Sequence, residues 1–150
     1  MPSETTEATP HPITGRCYCG AHRFTSTRMP DVVTYCHCGD CRRVSGAPVA
    51  AFAGFGTSDI SFDPPLSSSV TVSDGVTRWF CGSCGSPLAA TYTYLPAQIY
   101  VSLGLIDQAD ALPPGRHAHS GNALSWLDIQ DDLPRDTASA RQALRRSPDP

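Results

Sequence analysis

The chain has 150 residues, 40% of them hydrophobic and only 17% charged, with a formal net charge of -3 and a pI near 5.9. That length suits one domain with one continuous core, and the mild acidity removes any electrostatic reason to expect nucleic acid or an anionic membrane surface as a partner. No run approaches the roughly 18 apolar residues of a membrane span, and Met1 to Pro12 lacks the basic start and apolar middle of a signal peptide, so a cytoplasmic protein with no membrane partner is expected.

Residues 1–12, MPSETTEATPHP, carry no apolar pattern and are read as a disordered lead. The folded domain is placed at 13–134. Residues 135–150 are a polar, basic tail in which Asp136 or Thr137 is able to cap a short helix through Arg146. With 14 prolines and 12 glycines, the chain should be rich in strands and turns and poor in long helices. Strands are predicted at His22 to Ser26, Val32 to Tyr35, Pro48 to Phe55, Pro87 to Tyr94, Gln98 to Leu105 and Trp126 to Ile129, each rich in β-branched or aromatic residues, with one helical turn at Arg42 to Ser45. The clearest element is the pair of alternating runs from Ser69 to Phe80, joined by Asp74-Gly75, which suits a type I′ hairpin turn. That turn implies a register in which Val70, Val72, Thr77 and Trp79 share the core face while Thr71, Ser73 and Arg78 face out. Short strands punctuated by turns imply an all-β architecture of stacked antiparallel sheets or an open barrel.

Seven cysteines fall in three clusters: Cys17-Tyr-Cys19-Gly20, Cys36-His-Cys38-Gly-Asp-Cys41 and Cys81-Gly-Ser-Cys84-Gly85. In a reducing compartment this density points to metal binding or catalysis, and an odd count leaves a thiol over in any disulfide scheme. A Cys-x-Cys in a strand sends both sulfurs to one face. A Cys-x-x-Cys-Gly knuckle aims backbone N–H groups at sulfur while its glycine takes positive φ. Cys17 with Cys19 and Cys81 with Cys84 supply the four ligands of a closed, structural zinc site tying the N-terminal strand to the end of the strand through Phe80. Cys36, Cys38 and Cys41 form a second set that leaves a fourth position open, as catalytic zinc sites do, so two zinc ions per chain are expected.

The competing reading of the second set is another structural site, completed by His37, Asp40 or His117. His22, His37, His117 and His119 are read as ordinary strand or surface residues, and Tyr92, Tyr94, Tyr100 and Trp126 as core or rim aromatics. Zinc held by three thiolates carries about -1 overall, a weak Lewis acid but a good host for a soft substrate thiol kept deprotonated. Arg42 and Arg43 are placed to offset that charge or to bind a substrate carboxylate. The chemistry expected is thiol capture followed by addition to a small aldehyde. The alternative is a non-catalytic, zinc-stapled β module that binds another protein.

Gly15-Arg-Cys-Tyr-Cys-Gly-Ala, Cys-His-Cys-Gly-Asp-Cys-Arg-Arg-Val-Ser-Gly-Ala-Pro and Phe80-Cys-Gly-Ser-Cys-Gly-Ser-Pro-Leu together resemble the glutathione-dependent formaldehyde-activating enzyme family, also called the centromere protein V/GFA domain. The likeness runs from about Gly15 to Pro134 and includes His117 and the segment from Trp126 to Pro134. It implies an Mss4-like β fold, a structural zinc at Cys17, Cys19, Cys81 and Cys84, and a catalytic zinc at Cys36, Cys38 and Cys41. It also implies a carbon–sulfur lyase that joins formaldehyde to glutathione as S-hydroxymethylglutathione.

Overall fold

The protein is described from a computed structural model over residues 12–139. Ten strands and one short α-helix form two sheets among these residues. Strands β1 (Ile13–Arg16), β2 (Arg23–Ser26) and β5 (Ile60–Asp63) make a three-stranded antiparallel sheet in the order β1-β2-β5. The larger sheet contains β3 (Val32–Cys36), β4 (Ala50–Gly56), β6 (Ser69–Val70), β7 (Val76–Phe80), β8 (Pro87–Tyr92), β9 (Gln98–Ser102) and β10 (His117–Ala118). Its order is β10-β3-β4-β9-β8-β7-β6, antiparallel throughout except for the parallel β10–β3 pair. The chain thus adopts the all-β, Mss4-like stacking of sheets read from its sequence. No helix among the described residues is long and apolar enough to cross a membrane.

Alternation along β4 and β9 explains why the larger sheet carries apolar clusters on both faces. Ala53, Phe55, Ile99 and Val101 pack with Ile13, Phe24 and Ile60 of the small sheet into the main core. The intervening Phe52 and Tyr100 belong to a second cluster with Leu95, Ala118, Cys36 and Cys41. A side-chain period of two forces this division, so residues one step apart serve different layers. At β1 the two layers meet closely: a Cβ on Gly15 would collide with the ring of Phe24 and the carbonyl of Leu105, which leaves glycine as the residue that fits.

Helix α1 (Gly39–Ser45) follows β3 directly. Cys38 is its N-cap, with Sγ accepting the Cys41 N–H at 3.2 Å, and Gly46 ends it at φ 71 with its N–H on the Arg42 carbonyl. The helix is therefore longer than the single turn expected at Arg42 to Ser45.

The hairpin departs from the sequence reading in register. Ser73 and Val76 close a turn around Asp74-Gly75 through a 3.1 Å hydrogen bond, but only Gly75 has positive φ, whereas a type I′ turn needs it at both central residues. Val70 then pairs with Arg78 and Ser69 with Trp79, one step from the expected alignment. Val70 and Val72 are consequently exposed, at 46% and 93%. The cause is tertiary: β7 pairs along its whole length with β8, and Thr93 N–H binds the Gly75 carbonyl, so β8 sets the position of β7 and leaves β6 as a two-residue edge.

Two further differences concern boundaries. Trp126 to Ile129 forms no strand and Trp126 is 68% exposed, while β5 and β10 were not anticipated. The extension through Arg135 to Ala138 lies against β10: His117 N–H binds the Pro134 carbonyl and His119 N–H that of Ala138. It carries no helix up to Ser139, and the rest of the helix expected through Arg146 lies outside the described residues.

Candidate functional site

Cys17 and Cys19 lie in a turn just beyond β1 rather than within a strand. Gly20, at φ +81, donates its N–H to the Cys17 carbonyl, and His22 N–H reaches the Cys17 Sγ at 3.4 Å. Beyond β7, Gly85 at φ +77 closes the matching turn onto the Cys81 carbonyl, while Ser83 and Cys84 N–H groups both reach the Cys81 Sγ at 3.4 Å. Both glycines do what the knuckle requires. Strand alternation is not what aligns the first pair; two glycine-closed turns face each other, one spanning three residues to the Cys17 carbonyl and the other four to the Cys81 carbonyl.

Their sulfurs converge. Cys17 and Cys19 Sγ are 3.7 Å apart, Cys19 and Cys81 Sγ 3.8 Å, and all four lie within 4.8 Å of one another. Sulfurs about 2.3 Å from a tetrahedral zinc would be separated by about 3.8 Å, so this set fits such an ion. Burial alone would push the Cys17 thiol up, but the His22 N–H and the thiols of Cys19 and Cys81 outweigh it and bring it below its ordinary value. The Ser86 hydroxyl and N–H hold Cys84 down, to about 5. Cys17 and Cys84 are thereby biased toward thiolate. Cys19 is not: against the lowering Ala21 backbone hydrogen bond, desolvation and the thiols of Cys17, Cys84 and Cys81 raise it to about 11, and a dication is what would let the set ionise together.

The remaining cysteines gather on the opposite side of the larger sheet. Cys36 ends β3, Cys38 caps α1 and Cys41 lies in its first turn, with the three sulfurs within 4.8 Å of one another. Hydrogen bonds from Cys36 and Cys41 bring Cys38 down to about 2; the reverse of those bonds raises Cys36 to about 11 and drives Cys41 well above its ordinary value. Left to themselves, the three would thus share one negative charge. A dication is what allows all three to ionise together, and the donor set is soft, as zinc prefers. Among the described residues no histidine or carboxylate joins this group.

Beside it lies a cavity of about 250 Å³ walled largely by Phe52, Val76, Tyr92, Tyr94, Leu95 and Tyr100, with Asp40, Arg78 and His119 as its charged or basic groups. His119 has a left-handed backbone at φ 57, its N–H bound to Ala138 and its carbonyl accepting from Asn122. A second cavity of about 420 Å³ adjoins the first and shares Asp40, Phe52, Val76 and Arg78 with it. Arg43 lines that second cavity, whereas Arg42 lines neither and buries its Nε without a hydrogen-bond partner. The sequence reading has Tyr92, Tyr94 and Tyr100 as core or rim aromatics and sets Arg78 on the face opposite Trp79. Trp79 does pack on the main core, and Arg78 lines the cavity because that opposite face of β7 is covered by the second apolar cluster rather than by solvent.

His37 and His117 take no part in the cysteine cluster. His37 Nε2 is 2.8 Å from His117 Nδ1, and His117 Nε2 is 3.0 Å from Asp131 Oδ2, whose other oxygen accepts from Arg135 at 2.8 Å. The hydrogen bond from His117 holds the Asp131 carboxyl down at about 2, so the His117 proton sits on Nε2 and its Nδ1 accepts from His37. Burial lowers His37, and the positive charge of Arg135 adds to it. This buried chain props β3 behind Cys36 and Cys38. His117→Ala removes a side chain only 1% exposed and strands the polar groups on both sides, so a loss of about 2–4 kcal/mol is expected, read as a fall in the urea midpoint. An unchanged midpoint would show that the histidine pair adds nothing to the fold.

The profile of the family described as glutathione-dependent formaldehyde-activating enzyme matches residues 12–122. Among solved structures, the crystal structure of a Rhodobacter sphaeroides protein, a structural-genomics target, aligns at 19% identity with a TM-score of 0.48, covering 81% of this chain and 98% of the other. No curated protein matches.

Proposed function

The chain belongs to the glutathione-dependent formaldehyde-activating enzyme family, and on that premise we propose that it joins a small glutathione-like thiol to formaldehyde or a similar aldehyde. This makes it a zinc-dependent carbon–sulfur lyase resembling S-(hydroxymethyl)glutathione synthase, acting in the cytoplasm, where thiols stay reduced. Cys17, Cys19, Cys81 and Cys84 would hold a structural zinc, and Cys36, Cys38 and Cys41 a catalytic one. The observation that carries the reading is the three-cysteine set facing a cavity, with no histidine or carboxylate among the described residues within 4.8 Å of all three sulfurs.

When bound there, zinc supplies a soft centre at which a substrate thiol is held as thiolate. The chain's own residues do the rest. The aromatic walls shield one side of the reacting pair from water, which strengthens charge interactions on that side. Arg78 offers a cation to a substrate carboxylate, and Arg43 a further one at the second cavity. Of the groups lining the cavity, the His119 imidazole and the Asp40 carboxylate are the bases available to take the thiol proton and return it to the carbonyl oxygen as the carbon–sulfur bond forms.

Exchange-sensitive proton NMR of the zinc-loaded protein with formaldehyde and a panel of low-molecular-weight thiols tests the reading. Faster interconversion of free and hydroxymethylated thiol is expected for at least one thiol. Uncatalysed rates across the panel would reject it.

A further inference from the structure

Formaldehyde has two heavy atoms and fills about two waters' worth of space, on the order of 60 Å³. The cavity at Cys36, Cys38 and Cys41 is about 250 Å³ and continues into another of about 420 Å³. A site that binds tightly covers most of its ligand's surface with matching walls, and an empty apolar volume forfeits those contacts. Glutathione does not fill the space at the cysteines. It carries two carboxylates and an ammonium, each of which needs a partner when buried, and the set that matches them, Arg43, Arg78 and Asp40, lines the adjoining cavity. A thiol of that kind must keep most of its polar length outside the Phe52–Tyr92–Tyr100 enclosure. What remains is a ring-sized apolar space directly beside the reacting groups.

We infer that the carbonyl substrate is an apolar aldehyde of phenyl size or larger, seated among Phe52, Val76, Tyr92 and Tyr100, with formaldehyde only the smallest compound able to react. The inference rests on the thiol-addition reading above and adds the class of its second substrate. The reaction balances without a further reagent: the thiol S–H and the carbonyl π bond break, a carbon–sulfur bond forms, and the proton passes to the carbonyl oxygen to give a hemithioacetal. Aromatic pairs in offset or edge-on contact favour such a ring, and the Tyr92 and Tyr100 rings already meet edge to face at 5.7 Å, giving the enclosure a fixed aromatic corner.

The test uses the zinc-loaded full chain, with glutathione fixed and either formaldehyde or benzaldehyde as partner. The catalysed rate of hemithioacetal exchange is divided by the uncatalysed rate for each aldehyde, which removes their different intrinsic reactivity. An acceleration at least tenfold larger for benzaldehyde is expected, and Val76→Trp, which fills the shared wall with an indole, should reduce benzaldehyde's acceleration by a larger factor than formaldehyde's. Equal or greater acceleration of formaldehyde overturns the inference and leaves the thiol-addition reading standing, as does an advantage that appears only when the thiol is changed to benzyl mercaptan. If neither aldehyde is accelerated, thiol addition itself fails. Saturation-transfer NMR of benzaldehyde alone then decides the binding claim: ring saturation that Val76→Trp removes upholds an apolar-carbonyl site, and no saturation overturns it. The wild-type comparisons stand even if the variant does not fold.

Discussion

Cys81→Ser and Cys84→Ser are each expected to abolish folding, yielding aggregated or unfolded protein with little bound zinc. Cys81 is 1% exposed and sits in the main core with Cys17, so the serine variant leaves an incomplete donor set in a place that solvent cannot repair. The cluster also joins the turn after β1 to the turn after β7, cross-linking the two sheets at one edge of the core they share. Magnitudes decide the outcome. A structural zinc contributes roughly 10–16 kcal/mol of binding free energy that is realised only on folding, whereas a domain's whole stability is about 5–15 kcal/mol. Losing even part of the metal term outweighs what the sheets retain. Soluble yield, zinc content and melting temperature measure this together. Normal yield and an unchanged melting temperature for both variants would remove the structural assignment of the four-cysteine cluster.

Cys38→Ser and Cys41→Ser should behave differently: folded, with about one zinc fewer per chain, and with thiol addition reduced by on the order of 100-fold or more. These sulfurs belong to β3 and the first turn of α1, neighbours in sequence, so no distant strands depend on them. Cys38→Ser should keep the cap of α1, since the serine Oγ is placed to accept the Cys41 N–H that the Cys38 Sγ accepts. Cobalt-substituted protein gives a readout apart from activity. Adding a substrate thiol should shift the ligand-field bands of one cobalt and leave the other, in its closed four-sulfur cluster, unmoved, while aldehyde alone should shift neither. Unfolding of these variants to the same degree as the first pair would show the partition of cysteines to be wrong. Bands that respond to aldehyde and not to thiol would replace thiol capture with carbonyl polarisation.

The sequence by itself determined the fold class and the division of the cysteines into a cluster of four and a cluster of three. Cys36, Cys38 and Cys41 are within a few residues of one another, so local geometry suffices to gather them; and turns with glycine at Gly20 and Gly85 are dictated by their own residues, since positive φ is nearly free for glycine alone. Only the tertiary structure decided what surrounds the sulfurs. Phe52 and Ala53 are adjacent and both apolar, yet one faces the cavity and the other the main core, because pairing between β4 and β9 chooses which side of the sheet meets β1, β2 and β5. Arg78 was expected in solvent because it alternates with Trp79, which does pack on the main core, and it lines the cavity because the opposite face of the sheet carries a second apolar cluster. His37 and His117, 80 residues apart, meet only through the parallel pairing of β10 with β3. Each of these depends on a strand partner, and a period-two pattern records that a residue has a face without saying which layer will cover it.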